Sequence, residues 1–290
     1  MKPAPFDYSA PTTVDEATVI LAEHGDEAKP LAGGQSLVPL LALRLARFAH
    51  LVDLNDVAEL AGVQRENGTL RVGAMTRQRT AERSEEVAAA VPLLARALPL
   101  IGHRQIRARG TVGGSIAHAD PASELPAVAL ALDADLEVRS SRGSRTIAAA
   151  DFLVSMWTTA LEPDELLVAV RFPVWGPRSG FAVEEFARRD GDFAIAGAAT
   201  GVQIDDAGTI TRAAIGLFGM GLSSVRAATA ETALIGSSVN DADLDDIGRA
   251  AVADAEPSDD LHASAAYRRR VGAHLVRVAL ARSLEEASRG

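Results

Sequence analysis

Glycine occurs as an adjacent pair just ahead of two apolar runs. The pairs are Gly33-Gly34 in KPLAGGQSLVPLL, residues 29 to 41, and Gly113-Gly114 in RGTVGGSIAHADP, residues 109 to 121. Paired glycines at a loop–helix junction permit positive φ and close approach of backbone to a ligand or to another segment. Backbone N–H groups exposed there can hold an anion such as a phosphate. The first loop adds small Ala32 and the side-chain donors Gln35 and Ser36; the second adds Thr111, Val112 and Ser115. Two loops converging on one diphosphate account for both pairs. Two unrelated tight turns account for them as well, and spacing alone does not separate the readings.

Other phosphate and catalytic fingerprints are missing. The chain has no GxxxxGK[ST] loop and no GxSxG elbow. GMGLSS, Gly219 to Ser224, comes nearest to a dinucleotide fingerprint, but it has serine at the third glycine and no second strand follows. His118-Ala119-Asp120 lacks a third metal ligand nearby and reads as a loop histidine with local hydrogen bonds. Arg104, Arg107 and Arg109 could lend positive potential to the second glycine loop, though a solvated face is the default; YRRR at 267 to 270 is assigned to the wet side of the last helix. No residue is assigned a catalytic or metal-binding role.

The chain alternates short elements. Thr13 opens a capping box ahead of a helix stopped by Gly25, and Ser36 is placed as N-cap of a helix through Phe48. AHLVDL reads as a buried strand, and Asn67-Gly68 as a hairpin turn. A proline-interrupted helical segment ends at Gly102, Ser123 caps another helix, DLEVRSSRGSRTI is a hairpin, and ELLVAVRFP is a strand. VWGPRSG, residues 174 to 180, is the best domain boundary. Beyond it come strands around Asp206-Ala207-Gly208 and three helices, the last over about 259 to 286. Its face carries Val271, Leu275 and Val278, and Arg282 is expected to end that stripe. The pattern is that of an α+β chain with a mostly antiparallel second half.

Composition narrows function. With 290 residues and 48% apolar content, the chain can bury a sizeable core. A net charge of −10 disfavours nucleic acid as a partner. No run approaches the ~18 apolar residues of a membrane helix. The first residues lack a secretory pattern, so a cytoplasmic protein is expected. With no cysteine, the chain has no disulfide, thiolate zinc site or cysteine-held iron–sulfur cluster of its own. Any redox role therefore falls to an organic cofactor or to a partner.

LAGGQSLVPLLALRLA…LVDL together with IRARGTVGGSIAHADPASELPAVALALDADLEV resembles the FAD-binding, or medium, subunit of molybdenum hydroxylases of the carbon monoxide dehydrogenase and xanthine dehydrogenase type. ARRDGDFAIAGAATGV, residues 187 to 202, and AAYRRRVGAHLVRVAL resemble that family's later blocks, so the likeness covers essentially the whole chain. It implies an FAD-binding domain over 1 to 176, split near 55 into a small α/β lobe and a larger α+β lobe. A C-terminal domain over 177 to 290, a three-stranded antiparallel sheet with a helical bundle, would follow.

By the same resemblance, Ala32 to Ser36 and Thr111 to Ser115 hold the diphosphate of a non-covalent FAD. Lys29, Leu31, Ile101, Glu124 and Leu161 line the cofactor, with Glu124 accepting from a ribose hydroxyl. Phe193 stands where relatives carry an aromatic residue beside the flavin, without the hydroxyl of the tyrosine some of them have. Gly114→Val is expected to abolish FAD retention by crowding the phosphate and disfavouring positive φ. The implied partners are a small subunit with two [2Fe–2S] clusters and a large molybdopterin subunit, assembled as a dimer of heterotrimers. A free-standing FAD-dependent oxidoreductase and a cofactor-free scaffold are the competing functions.

Overall fold

The computed structural model describes residues 2–290. Its strands are β1 (Asp7–Ser9), β2 (Ala28–Leu31), β3 (His50–Asp53), β4 (Val63–Glu66), β5 (Thr69–Gly73), β6 (Asp135–Ser140) and β7 (Gly143–Ala148). These are followed by β8 (Leu153–Ser155), β9 (Thr158–Thr159), β10 (Leu166–Pro173), β11 (Ser179–Phe186), β12 (Ala196–Ile204), β13 (Ile210–Phe218) and β14 (Val225–Arg226).

The first lobe is a parallel sheet in the order β1-β3-β2. Its helix Val14–His24 starts where Thr13 Oγ1 accepts from the Glu16 amide at 3.1 Å, and Val14, Ala17 and Leu21 bury its inner face. The second helix is shorter than expected, Leu37–Ala42, and Ser36 makes no side-chain cap. Ser36 has αR backbone angles, φ −99° and ψ −46°, so it is already in the turn.

The second lobe is an antiparallel sheet in the order β4-β5-β10-β6-β7. Asn67 and Gly68 both take positive φ, 46° and 81°, as a two-residue hairpin turn requires. One face is covered by short helices, among them Pro92–Ala97, Val112–His118 and the fully buried Glu124–Ala131. They share a core with Leu70, Val72, Val170 and Phe172 of the sheet, and that core extends to Phe181, Ala199 and Ala214 of the third lobe.

The third lobe has the order β11-β12-β13-β14. Its fourth strand is a two-residue addition to the expected three. The long helix Ala265–Arg289 packs on β11 and β12, and helix Leu244–Ala253 packs on that long helix. The long helix begins at Ser264, whose Oγ accepts from the Tyr267 amide at 3.2 Å, and not near 259. The buried stripe does not stop at Arg282: it continues through Ser283, Leu284 and Ala287, while Arg282 turns outward to Glu184.

Two arginines assigned to wet faces are buried. Arg268 donates to the carbonyls of Ile195 and Gly219 and to Asp260 Oδ2. Arg107 donates to Glu82 and to the carbonyls of Ile101 and Gly102. Each fixes loop carbonyls that no secondary structure satisfies.

The long helix lies directly on β11 at Gly180. A Cβ there would stand 2.7 Å from the Ala287 amide nitrogen and 2.9 Å from Glu286 Cβ. Gly180→Ala must therefore lift the helix from the sheet, at a cost of about 1–3 kcal/mol. The expected result is a lower urea midpoint with an unchanged m-value.

Candidate functional site

The two glycine loops touch. Gly33, at the end of β2, is buried against the backbone of Arg109 and Gly110, and a Cβ on it would stand 2.7 Å from Gly110 Cα. A Cβ on Gly114 would meet Thr111 Oγ1 at 2.6 Å and Ala32 Cβ at 3.2 Å. Only Gly34 uses positive φ, +72°. Gly114 does not, which removes that part of the reason given for Gly114→Val; close approach is the constraint at Gly33 and Gly114. Gly113 faces inward, where a Cβ would lie 2.6 Å from Ala74 Cα.

Side chains brace the junction. Thr111 Oγ1 accepts from the Gly114 amide at 3.0 Å and so caps the helix Val112–His118. Gln35 Nε2 donates to the Gly33 carbonyl at 2.9 Å. Asn55 Nδ2 donates to the Ala32 carbonyl at 3.2 Å, and Arg77 donates to Asn55 Oδ1 at 2.6 Å and to the Arg109 carbonyl. Desolvation, then the nearby Arg109 charge, lower the Arg77 pKa against the pull of Asp53. Asn55 and Arg77 carry no sequence signal of this role: their importance is set by where the chain folds back.

Lys29, on β2, keeps surface area exposed while protein around its ammonium desolvates it and lowers its pKa. Its Nζ lies 5.6 Å from the Phe48 ring centroid. Leu31 is half-buried at the end of the same strand, its Cδ1 3.3 Å from where a Cβ on Gly34 would stand. Ile101 and Leu161 are half-buried against the second-lobe core.

At the far end of the helix Val112–His118 a cleft of about 820 Å³ opens toward the third lobe. Asp120, Pro121, Met156, Trp157, Phe193 and Arg268 are among the residues lining it. Burial holds His118 below its ordinary pKa, against the pull of Asp120 Oδ2 at 4.0 Å, so the two do not form a neutral-pH ion pair. Among the described residues, no cluster of three or more histidines and carboxylates is arranged for a metal ion.

Glu124, first residue of the next helix, is buried, and desolvation followed by the Glu185 charge raises its pKa to about 8. Glu185 itself is raised to about 7 by burial and by Asp190, and its Oε2 has no hydrogen-bond partner. The register explains their proximity. Val183 and Glu185 share one face of β11, and Val183 packs with Ala127, one turn beyond Glu124.

Two family models together match nearly all of the chain: the FAD binding domain in molybdopterin dehydrogenase over residues 4–175, and the CO dehydrogenase flavoprotein C-terminal domain over 181–283. The chain is 43% identical to the 6-hydroxypseudooxynicotine dehydrogenase complex subunit alpha of Paenarthrobacter nicotinovorans, over 99% of this chain and 97% of that one. It is 44% identical to caffeine dehydrogenase subunit beta of a Pseudomonas species, over 82% and 81%. A solved structure of carbon monoxide dehydrogenase from Hydrogenophaga pseudoflava superposes with a TM-score of 0.96 at 37% identity, covering 99% of both chains.

The raised Glu124 pKa makes stability pH-dependent. Below pH 4.5 both folded and unfolded chains hold the proton; between 4.5 and about 8 only the folded chain does, and its advantage is lost as pH rises. The loss from this group approaches ~1.4 kcal/mol per pH unit within that window. Glu124→Gln removes the term. Urea midpoints from pH 5 to 8.5 should show the variant gaining on the wild type as pH increases, and parallel curves would refute the assignment.

Proposed function

Because this chain belongs to the FAD-binding subunits of the molybdenum hydroxylases, we propose that it is the electron-transfer subunit of a heteromeric enzyme. It is an oxidoreductase subunit and a flavoprotein. In this reading a small partner carries two [2Fe–2S] clusters, a large partner carries molybdopterin and oxidises the substrate, and three chains assemble as a dimer of heterotrimers. No described helix is long and apolar enough to cross a membrane; the proposed compartment is the cytoplasm.

The observation that carries the proposal is the contact of the two glycine loops. Gly33 of the first loop packs bare on the Arg109 and Gly110 backbone just ahead of the second, and Ala32 and Thr111 approach Gly114, beside the positive charge of Arg77 and Arg109. A diphosphate is the group such a cradle suits. Lys29, Leu31, Ile101 and Leu161 are assigned to the walls, Glu124 to a ribose hydroxyl, and Phe193 to the ring. Bound there, FAD supplies a carrier that accepts electrons singly and releases two. The chain's own residues grip, orient and shield it; none is assigned to proton chemistry on the organic substrate. Relatives of similar identity are named for substrates as unlike as caffeine and 6-hydroxypseudooxynicotine, which supports substrate choice on another subunit. The free-standing oxidoreductase has no such support.

Denaturing the purified complex and chromatographing the released cofactor should yield one FAD per copy of this chain. Gly114→Val would force apart Thr111 and Ala32 and should remove most of that FAD from a chain still folded by circular dichroism. Ser115→Ala should weaken binding by about 1 kcal/mol, to roughly a fifth of the affinity. Normal occupancy in a folded Gly114→Val complex would sink the diphosphate assignment.

A further inference from the structure

Resting on the FAD reading above, we propose that Trp157 is a cofactor-contact residue whose indole, with Phe193 of the third lobe, walls the part of the cleft that takes the isoalloxazine ring. Trp157 is 64% exposed and Phe193 69% exposed, yet both line the cleft beyond the helix Val112–His118. An exposed indole with no task would be free to reorient. This one is held at three points. Its backbone amide donates to the Ala119 carbonyl at 3.0 Å, its Nε1 donates to Asp120 Oδ2 at 3.3 Å, and its ring lies near-parallel to His118, 16° between planes and 6.5 Å between centroids. Asp120 is itself fixed, its Oδ1 accepting from the Ala122 amide at 2.9 Å.

The backbone that presents the indole is strained. Trp157 has φ +54°, a left-handed conformation unusual for a bulky residue, and its hydrogen-bond partner Ala119 has φ +50°. Such strain persists only where surrounding contacts fix it, and it concentrates at ligand clamps. The result is a rigid, electron-rich aromatic face turned to open space, beside Met156 and Pro121. A flat aromatic ligand is what that face takes. The reach agrees: Gly114 and His118 stand at two ends of one helix, separated by about 6 Å of rise. A single molecule with a diphosphate at one end and a ring system at the other spans both.

The test uses the purified complex with its partners and measures FAD content and time-resolved flavin fluorescence separately. A photoexcited flavin takes an electron from a stacked indole or phenol and returns it, which shortens its emission; quenching by the partners is common to every variant. Wild type and Trp157→Tyr should show the short lifetime. Trp157→Leu should lengthen it several-fold at equal FAD content. Loss of FAD from folded Trp157→Leu that Trp157→Tyr restores also supports the contact. An unchanged lifetime in FAD-replete Trp157→Leu overturns the Trp157 assignment and leaves the FAD reading intact. Loss of FAD from both variants makes Trp157 a structural residue and overturns it as well, and a wild-type complex without FAD overturns both.

Discussion

Everything in the candidate site depends on one bare backbone contact, Gly33 against Arg109 and Gly110. That contact joins the end of a parallel strand in the first lobe to the end of a helix in the second. Without a side chain between them, the backbones of the two segments come into direct contact. Asn55 and Arg77 then lock the junction from opposite sides by donating to carbonyls of both loops. The glycines create the proximity, and the polar side chains remove its freedom.

Electrostatics follows the same division. The chain carries a net charge of −10, a poor starting point for an anion site. At the loop junction, however, Arg77 bonds to an amide oxygen and a carbonyl, and the nearest acid, Asp53, reaches it only through Asn55 and through space. Beyond the helix Val112–His118, desolvation pushes buried Glu124 and half-buried Glu185 toward their neutral forms. The charge a residue carries here is thus decided by its hydrogen-bond partners and by desolvation, not by the net charge of the chain.

Local chemistry was legible in the sequence wherever a few consecutive residues decide it. Asn67-Gly68 makes its turn, Thr13 makes its cap, and Asp205 to Thr209 closes the hairpin between β12 and β13. The convergence of the two glycine loops was expected only through the family resemblance, since their spacing alone fits two separate turns equally well. What was not legible depends on distant partners. Arg107 and Arg268 look like surface residues because their acceptors are mostly carbonyls, which every sequence has everywhere. Ser36 looks like a cap until its own αR backbone excludes it. The glycines themselves hide three different reasons: positive φ at Gly34, backbone approach at Gly33 and interior packing at Gly113.

The helix Val112–His118 sets the relation between the two halves of the site. Its first turn carries Gly113 and Gly114, and its last residue lies against Trp157. Gly113 packs on Ala74, so the helix cannot slide along the second-lobe sheet without a clash. Cradle and indole therefore belong to one rigid unit. Phe193 comes from the third lobe, on the loop between β11 and β12. Arg268 holds the next turn of that loop by bonding the Ile195 carbonyl, and the same guanidinium reaches Gly219 and Asp260 at the cleft wall. A fixed wall on one lobe faces a tethered one on another. The core that the second and third lobes share through Phe181, Ala199 and Ala214 fixes the distance between those two walls.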